Sequence, residues 1–111
     1  MALNNKILTL LGFATKAGKL SFGFEAAVTA IKAKKSKLVI TACDISSKSK
    51  KEIEFFAKGG NIRHVTLEGI DIKAVSDAVG RKCGIISVND SGFADACAAY
   101  DEGGNANGDD K

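Results

Sequence analysis

Apolar positions along this chain alternate between helical and extended spacing, and the switches predict nine elements. Ile7, Leu10, Leu11 and Ala14 recur at i, i+3, i+4 and i+7. That is one helical face, so a first helix is predicted from a cap at Asn4 or Asn5 to about Ala17, ended by Gly18. Leu20 to Phe22 reads as a short extended segment. A second helix is predicted from about Gly23 to Lys34, with Phe24, Ala27, Val28 and Ile31 inward and Glu25, Thr29 and Lys32 on a polar line facing away. Leu38 to Ala42 is a continuous apolar run, the pattern of a strand buried on both faces. Ser47 or Ser49 is expected to cap a third helix through Ala57, closed by Gly59-Gly60. Arg63 to Leu67 reads as a strand, Asp71 as the cap of a helix to Val79 ended by Gly80, and Gly84 to Val88 as another buried strand. Asp90 caps a last helix to about Tyr100.

Helices alternating with four short strands imply a single α/β domain, a layered sandwich with helices on both faces of a small sheet. Leu10, Leu11, Phe24, Val28, Ile31, Val39, Phe56, Ile86 and Val88 are expected to share one core. The domain is placed at residues 1–100. Residues 101–111 carry no large apolar side chain and are expected to form a disordered acidic, Gly- and Asn-rich tail. No apolar run approaches the ~20 residues of a membrane helix. Met1 to Lys6 lacks the pattern of a secretory leader, so the expectation is a cytoplasmic, membrane-free protein.

The net charge of +3 hides an asymmetry. Residues 1–58 hold 11 lysines against the four acids Glu25, Asp44, Glu52 and Glu54, whereas residues 59–100 hold 4 bases against 5 acids. Such an imbalance points to a polyanionic partner.

Motifs for catalysis are missing. The single histidine, His64, lies in a predicted strand with no nucleophile or orienting partner assignable by spacing. No phosphate-binding P-loop or dinucleotide glycine fingerprint occurs. Glu52 and Glu54 are one residue apart on a helix and diverge, and Asp44 reads as a turn or capping residue. Cys43, Cys83 and Cys97 are odd in number and widely spaced, against a disulfide framework or a zinc site. The expectation is no enzyme, no metal and no small-molecule cofactor.

The informative stretch is Lys16 to Lys37. Lysines flank a glycine-containing turn that feeds a helix N-terminus, an arrangement suited to phosphate oxygens. Gly18-Lys19-Leu20-Ser21-Phe22-Gly23, the following helix, and Ser36-Lys37-Leu38-Val39-Ile40-Thr41-Ala42-Cys43-Asp44 resemble the kink-turn-binding ribosomal protein superfamily of L7Ae and L30e type, above all its small bacterial members. Lys51 to Ala57, Val79 to Gly84 and Val88 to Ala94 fit in the same order, so the resemblance spans about residues 5–100.

The resemblance implies a three-layer α/β/α sandwich with a small four-stranded mixed sheet that grips kinked RNA, ribosomal RNA included, as a monomer. It carries a Gly-x-Asn-Glu-x-x-Lys stretch onto Gly23, Glu25, Ala26 and Thr29, and a base-covering loop onto Gly80 to Gly84. Together with the charge pattern, the expected RNA-binding set is Lys16, Lys19, Gly23, Glu25, Ala26, Thr29, Lys32, Lys35, Arg81, Lys82 and Cys83. Glu25, Ala26 and Thr29 replace the family's Asn, Glu and Lys, exchanging two hydrogen-bonding side chains for a carboxylate and a methyl. Two alternatives therefore stand beside RNA binding: a non-enzymatic regulatory protein that kept the fold and lost kink-turn binding, and an enzyme or the substrate-recruiting domain of a methyltransferase-like one.

Overall fold

The nine elements form in the expected order in the computed structural model, which describes residues 2–106 and side chains over 6–99. They are α1 (Ala2–Lys16), β1 (Leu20–Phe22), α2 (Phe24–Lys32), β2 (Leu38–Ala42), α3 (Ser47–Gly59), β3 (Arg63–Leu67), α4 (Ile72–Val79), β4 (Ile85–Val88) and α5 (Ser91–Ala106).

Three helices end in the same way, and two of the endings were not expected. After α1, Gly18 is left-handed at φ 71°, Lys19 N–H donates to Ala14 O and Gly18 N–H to Thr15 O, both at 3.0 Å. This is the Schellman arrangement, which satisfies carbonyls left over at a helix end. The same pair of bonds follows α2, where Lys34 takes the left-handed position at φ 63°. It follows α3 as well, where Asn61 does so at φ 58° and Gly59-Gly60 does not.

The caps at helix starts are corrected in two places. α1 begins at Ala2, so Asn4 and Asn5 lie inside it, because Ala2 and Leu3 are good helix formers that extend it upstream. Ser46 caps α3, its side chain accepting from Ser49 N–H at 3.1 Å. Asp71 and Asp90 cap α4 and α5 as expected. α5 runs to Ala106, past the expected end at Tyr100, while the tail expectation for 107–111 lies outside the described residues.

The sheet has the order β1-β4-β2-β3. β2 and β3 are parallel, and β4 runs antiparallel between β1 and β2. The core is not one cluster but two, because alternate residues of a strand face opposite sides. Leu38, Ile40, Ala42, Val65, Leu67, Ile86 and Val88 face a larger core with Ile7 and Leu11 of α1, Val75 and Val79 of α4, and Ala94 and Cys97 of α5. Val39 and Ile85 face a smaller one with Ala27 and Ile31 of α2 and Ile53 and Ala57 of α3, bordered by half-buried Phe24, Val28 and Phe56. The result is three layers: α1, α4 and α5, then the sheet, then α2 and α3.

The face under α2 and α3 also carries polar groups, all partnered. Thr41 Oγ1 lies 3.0 Å from His64 Nε2 and 3.4 Å from Thr66 Oγ1. Ser87 Oγ lies 2.7 Å from Ser36 Oγ and 2.6 Å from Asn89 Oδ1, and Asn89 Nδ2 donates to Ser21 Oγ at 2.9 Å. These bonds tie β1, β4 and the start of β2 together, since unpaired they would each cost about 1–3 kcal/mol.

Candidate functional site

Strand register divides the candidate residues between two ends of the sheet. At the end where β1 and β2 finish, here the upper end, Phe22 pairs with Ile86 and Gly23 N–H donates to Ile85 O at 2.8 Å. Ala42 N–H donates to Gly84 O at 2.8 Å. The start of α2 therefore sits beside the Gly80–Gly84 loop. The Arg81 guanidinium carbon is 5.1 Å from the Phe22 ring centroid, a cation–π contact across the junction.

Backbone geometry shapes this end. Gly23 caps α2 at φ 95°, ψ 166°, a region open essentially to glycine alone. No side chain caps the first turn, so its N–H groups have no side-chain acceptor there, and Glu25 stands exposed beside them. The loop is held from behind: Cys83 N–H donates to Ser76 Oγ at 3.0 Å, and the Ser76 hydroxyl donates to Cys83 O at 3.2 Å. A Cβ on Gly84 would come within 2.8 Å of both Ile45 and Ile72, so the backbone passes there only without a side chain.

Gly23, Glu25, Ala26, Arg81 and Lys82 are thus brought together. Cys83 belongs to the same loop but its side chain is buried in the larger core, so it presents only backbone.

The lower end collects the lysines. Lys19 O accepts from Asn89 N–H at 2.8 Å and Lys37 N–H donates to Val88 O at 2.7 Å, so both flank the end of β4. α2 descends to the same end and delivers Lys32 and then Lys34 and Lys35, all exposed. Lys16 closes α1 just before Lys19 and lines a groove with Val79 and Gly80, so it belongs to neither group alone. Thr29 stands exposed between the ends. α2 is nine residues long, which separates the ends by about 14 Å. The expected set is therefore two groups and not one.

A catalytic-looking row that spacing did not reveal lies away from both. His64 joins Thr41 at 3.0 Å through Nε2, and Glu54 Oε2 is 3.6 Å from its Nδ1. The order resembles nucleophile, base and orienting carboxylate. Thr41 is wholly buried, so its hydroxyl cannot reach a substrate. Burial lowers the His64 pKa below 6.5, partly offset by the Glu54 charge. The sequence signal was absent because Thr41 and Glu54 come from neighbouring elements.

Thiol chemistry is disfavoured at the two buried cysteines: burial pushes Cys97 up to about 11 and raises Cys83, while Cys43 is free and exposed. Asp44 accepts from Ile72 N–H at 2.8 Å, a structural link to the start of α4. Among the described residues no cluster of three or more His, Cys, Asp or Glu side chains is placed to hold a metal, and no helix is long and apolar enough to cross a membrane.

Known proteins match nearly the whole domain. Residues 5–98 match the model of the ribosomal protein L7Ae/L30e/S12e/Gadd45 family. The large ribosomal subunit protein eL30 of Candida glabrata is 29% identical over 91 residues, 80% of this chain and 86% of that protein. The RNA-binding protein YlxQ of Enterococcus faecium is 29% identical over 89 residues, 80% of this chain and 84% of that one. Among solved structures, a Bacillus halodurans protein of unknown function superposes with a TM-score of 0.82 at 28% identity, over 87% of this chain and 97% of that one. The Giardia lamblia 15.5kD RNA binding protein superposes at 0.71 with 15% identity, over 90% and 85%, a likeness of fold.

Proposed function

The chain belongs to the ribosomal protein L7Ae/L30e/S12e/Gadd45 family, and from that premise we propose that it binds structured RNA at the upper end of its sheet. The RNA is a kinked internal loop, and the protein works in association with the ribosome, without catalysis. The observation that carries this reading is the junction of α2 and the Gly80–Gly84 loop, joined by the Gly23–Ile85 hydrogen bond and the Arg81–Phe22 contact. It sets the uncapped backbone N–H groups of a helix start next to the loop that carries Arg81 and Lys82, a pairing suited to a phosphate turn. Its residues match the segments that carry the family likeness. Names of the relatives support the same reading, since one is a ribosomal subunit protein and another an RNA-binding protein. Lys16, Lys19, Lys32 and Lys35 then contact flanking phosphates.

Glu25, Ala26 and Thr29 favour a second reading, a regulatory protein that kept the fold and lost the RNA. Glu25 is exposed in the first turn of α2, where its carboxylate repels an incoming phosphate.

Titrating the protein with an RNA hairpin containing a kinked internal loop, and with a plain duplex, across a range of salt separates the two. The kinked RNA is expected to bind more tightly. The double substitution Arg81→Ala, Lys82→Ala should flatten the slope of log affinity against log salt by up to about two units. Thr29→Lys should strengthen binding to kinked RNA alone. Equal, negligible binding of both RNAs establishes the regulatory reading instead.

A further inference from the structure

We propose that the groove between the C-terminal ends of α2 and α3 is a second RNA site, one that takes a short single-stranded stretch flanking the structured element. The proposal rests on the RNA-binding reading above for its partner and shares Lys32 with it, but its rings and its other lysines are different residues at the opposite end of the sheet. The groove is lined by Lys32, Lys34, Lys37, Phe55, Phe56 and Asn61, among others, and no acidic side chain lines it. Among the described residues none of the three lysines has an ion pair.

Phe55 is the most exposed large apolar side chain among the described residues, at 71%. Its ring is not loose. It meets Phe56 edge-on at 5.5 Å, and Phe56 meets Phe24 edge-on at 6.2 Å, so three rings form a ladder from α2 to the surface. Lys32 Nζ lies 5.4 Å from the Phe56 centroid, which holds that ammonium at the groove. An anchored, exposed ring beside unpaired lysines has the two parts that single-strand binding requires, a stacking surface and a charged track for the backbone.

The other exposed ring shows that exposure alone is not the criterion. Phe13 is 57% exposed in a groove between α1 and α4, but that groove holds a single lysine, Lys16, and the carboxylate of Asp77, which lies 3.0 Å from Lys73 Nζ. Of the two, the Phe55 groove is the more strongly biased toward a polyanion, with three lysines and no acidic side chain among its lining residues.

Two helix C-termini also meet the groove, and each carries about half a negative charge that opposes an anion. Three full positive charges outweigh them. The Schellman bonds after Lys34 and Asn61 further occupy the terminal carbonyls. Lys34 is there at a conformational cost, since it holds the left-handed position that glycine fills most easily. The residue held there is one of the three lysines that line the groove.

Fluorescence anisotropy with three RNAs tests this: a short oligouridine, the internal-loop hairpin without overhang, and the same hairpin with single-stranded tails. Tails should tighten binding about tenfold, the scale of one stacked base. Phe55→Leu should abolish that gain and leave the tailless hairpin unchanged, while Phe55→Trp should retain it. Both variants keep an exposed apolar residue, so loss in one alone reports stacking. If the hairpin fails to bind but oligouridine binds in a Phe55-dependent way, the groove stands and the kinked-RNA reading falls. No gain from tails, or a gain that survives Phe55→Leu, overturns the groove. So does a concentration-dependent dimer that Phe55→Leu dissolves, which would make the occupant a second copy of this chain.

Discussion

The two ends of the sheet are built by different means. The upper end is built from backbone: Gly23 at a φ only glycine adopts, Gly84 against Ile45 and Ile72, and a loop clamped through Ser76. The lower end is built from side chains, an exposed ring and lysines on two Schellman turns. A backbone site has a fixed shape, so its substitutions should register first in stability. A site of long side chains has charge without rigid shape, so its substitutions should register in affinity.

The sharpest break of that contrast is at Gly84. Gly84→Val inserts a branched side chain where even a Cβ finds Ile45 and Ile72 at 2.8 Å, and should destabilise by about 3 kcal/mol by overpacking. Chemical denaturation measures it, and an unchanged midpoint would show that the loop has room to shift. Gly23→Ala comes next. Space is open around its Cβ, so the cost is conformational alone, about 1–3 kcal/mol. Kinked-RNA binding should fall in the same variant, because the start of α2 must move.

Lys34→Gly should act in the opposite sense. Relieving a left-handed lysine should raise stability by about 1 kcal/mol while tailed RNA binds more weakly. Denaturation and anisotropy on one sample check both signs, and a loss of stability would mean that Lys34 packs more than it strains.

The smallest effect expected is a pH dependence set by His64. Its folded pKa lies below the 6.5 of the unfolded chain, because burial disfavours the charged ring more than Glu54 favours it. Between those two values the unfolded state binds more protons, so stability should be full above pH 6.5 and decline as pH falls below it. His64→Gln should flatten that decline in thermal melts taken at stepped pH. An identical decline in the variant would assign it to other groups.

What the chain determined by itself is local. Helical and extended periods, the caps at Asp71 and Asp90, and the stop at Gly80 follow from contacts within a few residues, and those elements stand where the pattern put them. Endings where several residues compete were harder to read: Ser46 displaced Ser47 and Ser49, and Asn61 took the left-handed place expected of a glycine. The alternation of elements implied the layered sandwich as well, and the resemblance added the matched positions of α2 and the Gly80–Gly84 loop.

Tertiary structure decided what lies beside what. β4 enters between β1 and β2 and runs against both, and helices cover both faces of the sheet, so consecutive residues of one strand serve separate cores and a single apolar list becomes two clusters. The same register sends Lys19 and Lys37 to one end and Gly23 and Arg81 to the other. It also joined Thr41, Glu54 and His64, which no spacing connects. Periodicity says which face of an element is inward, but only the pairing of strands far apart in sequence says which neighbours share an end.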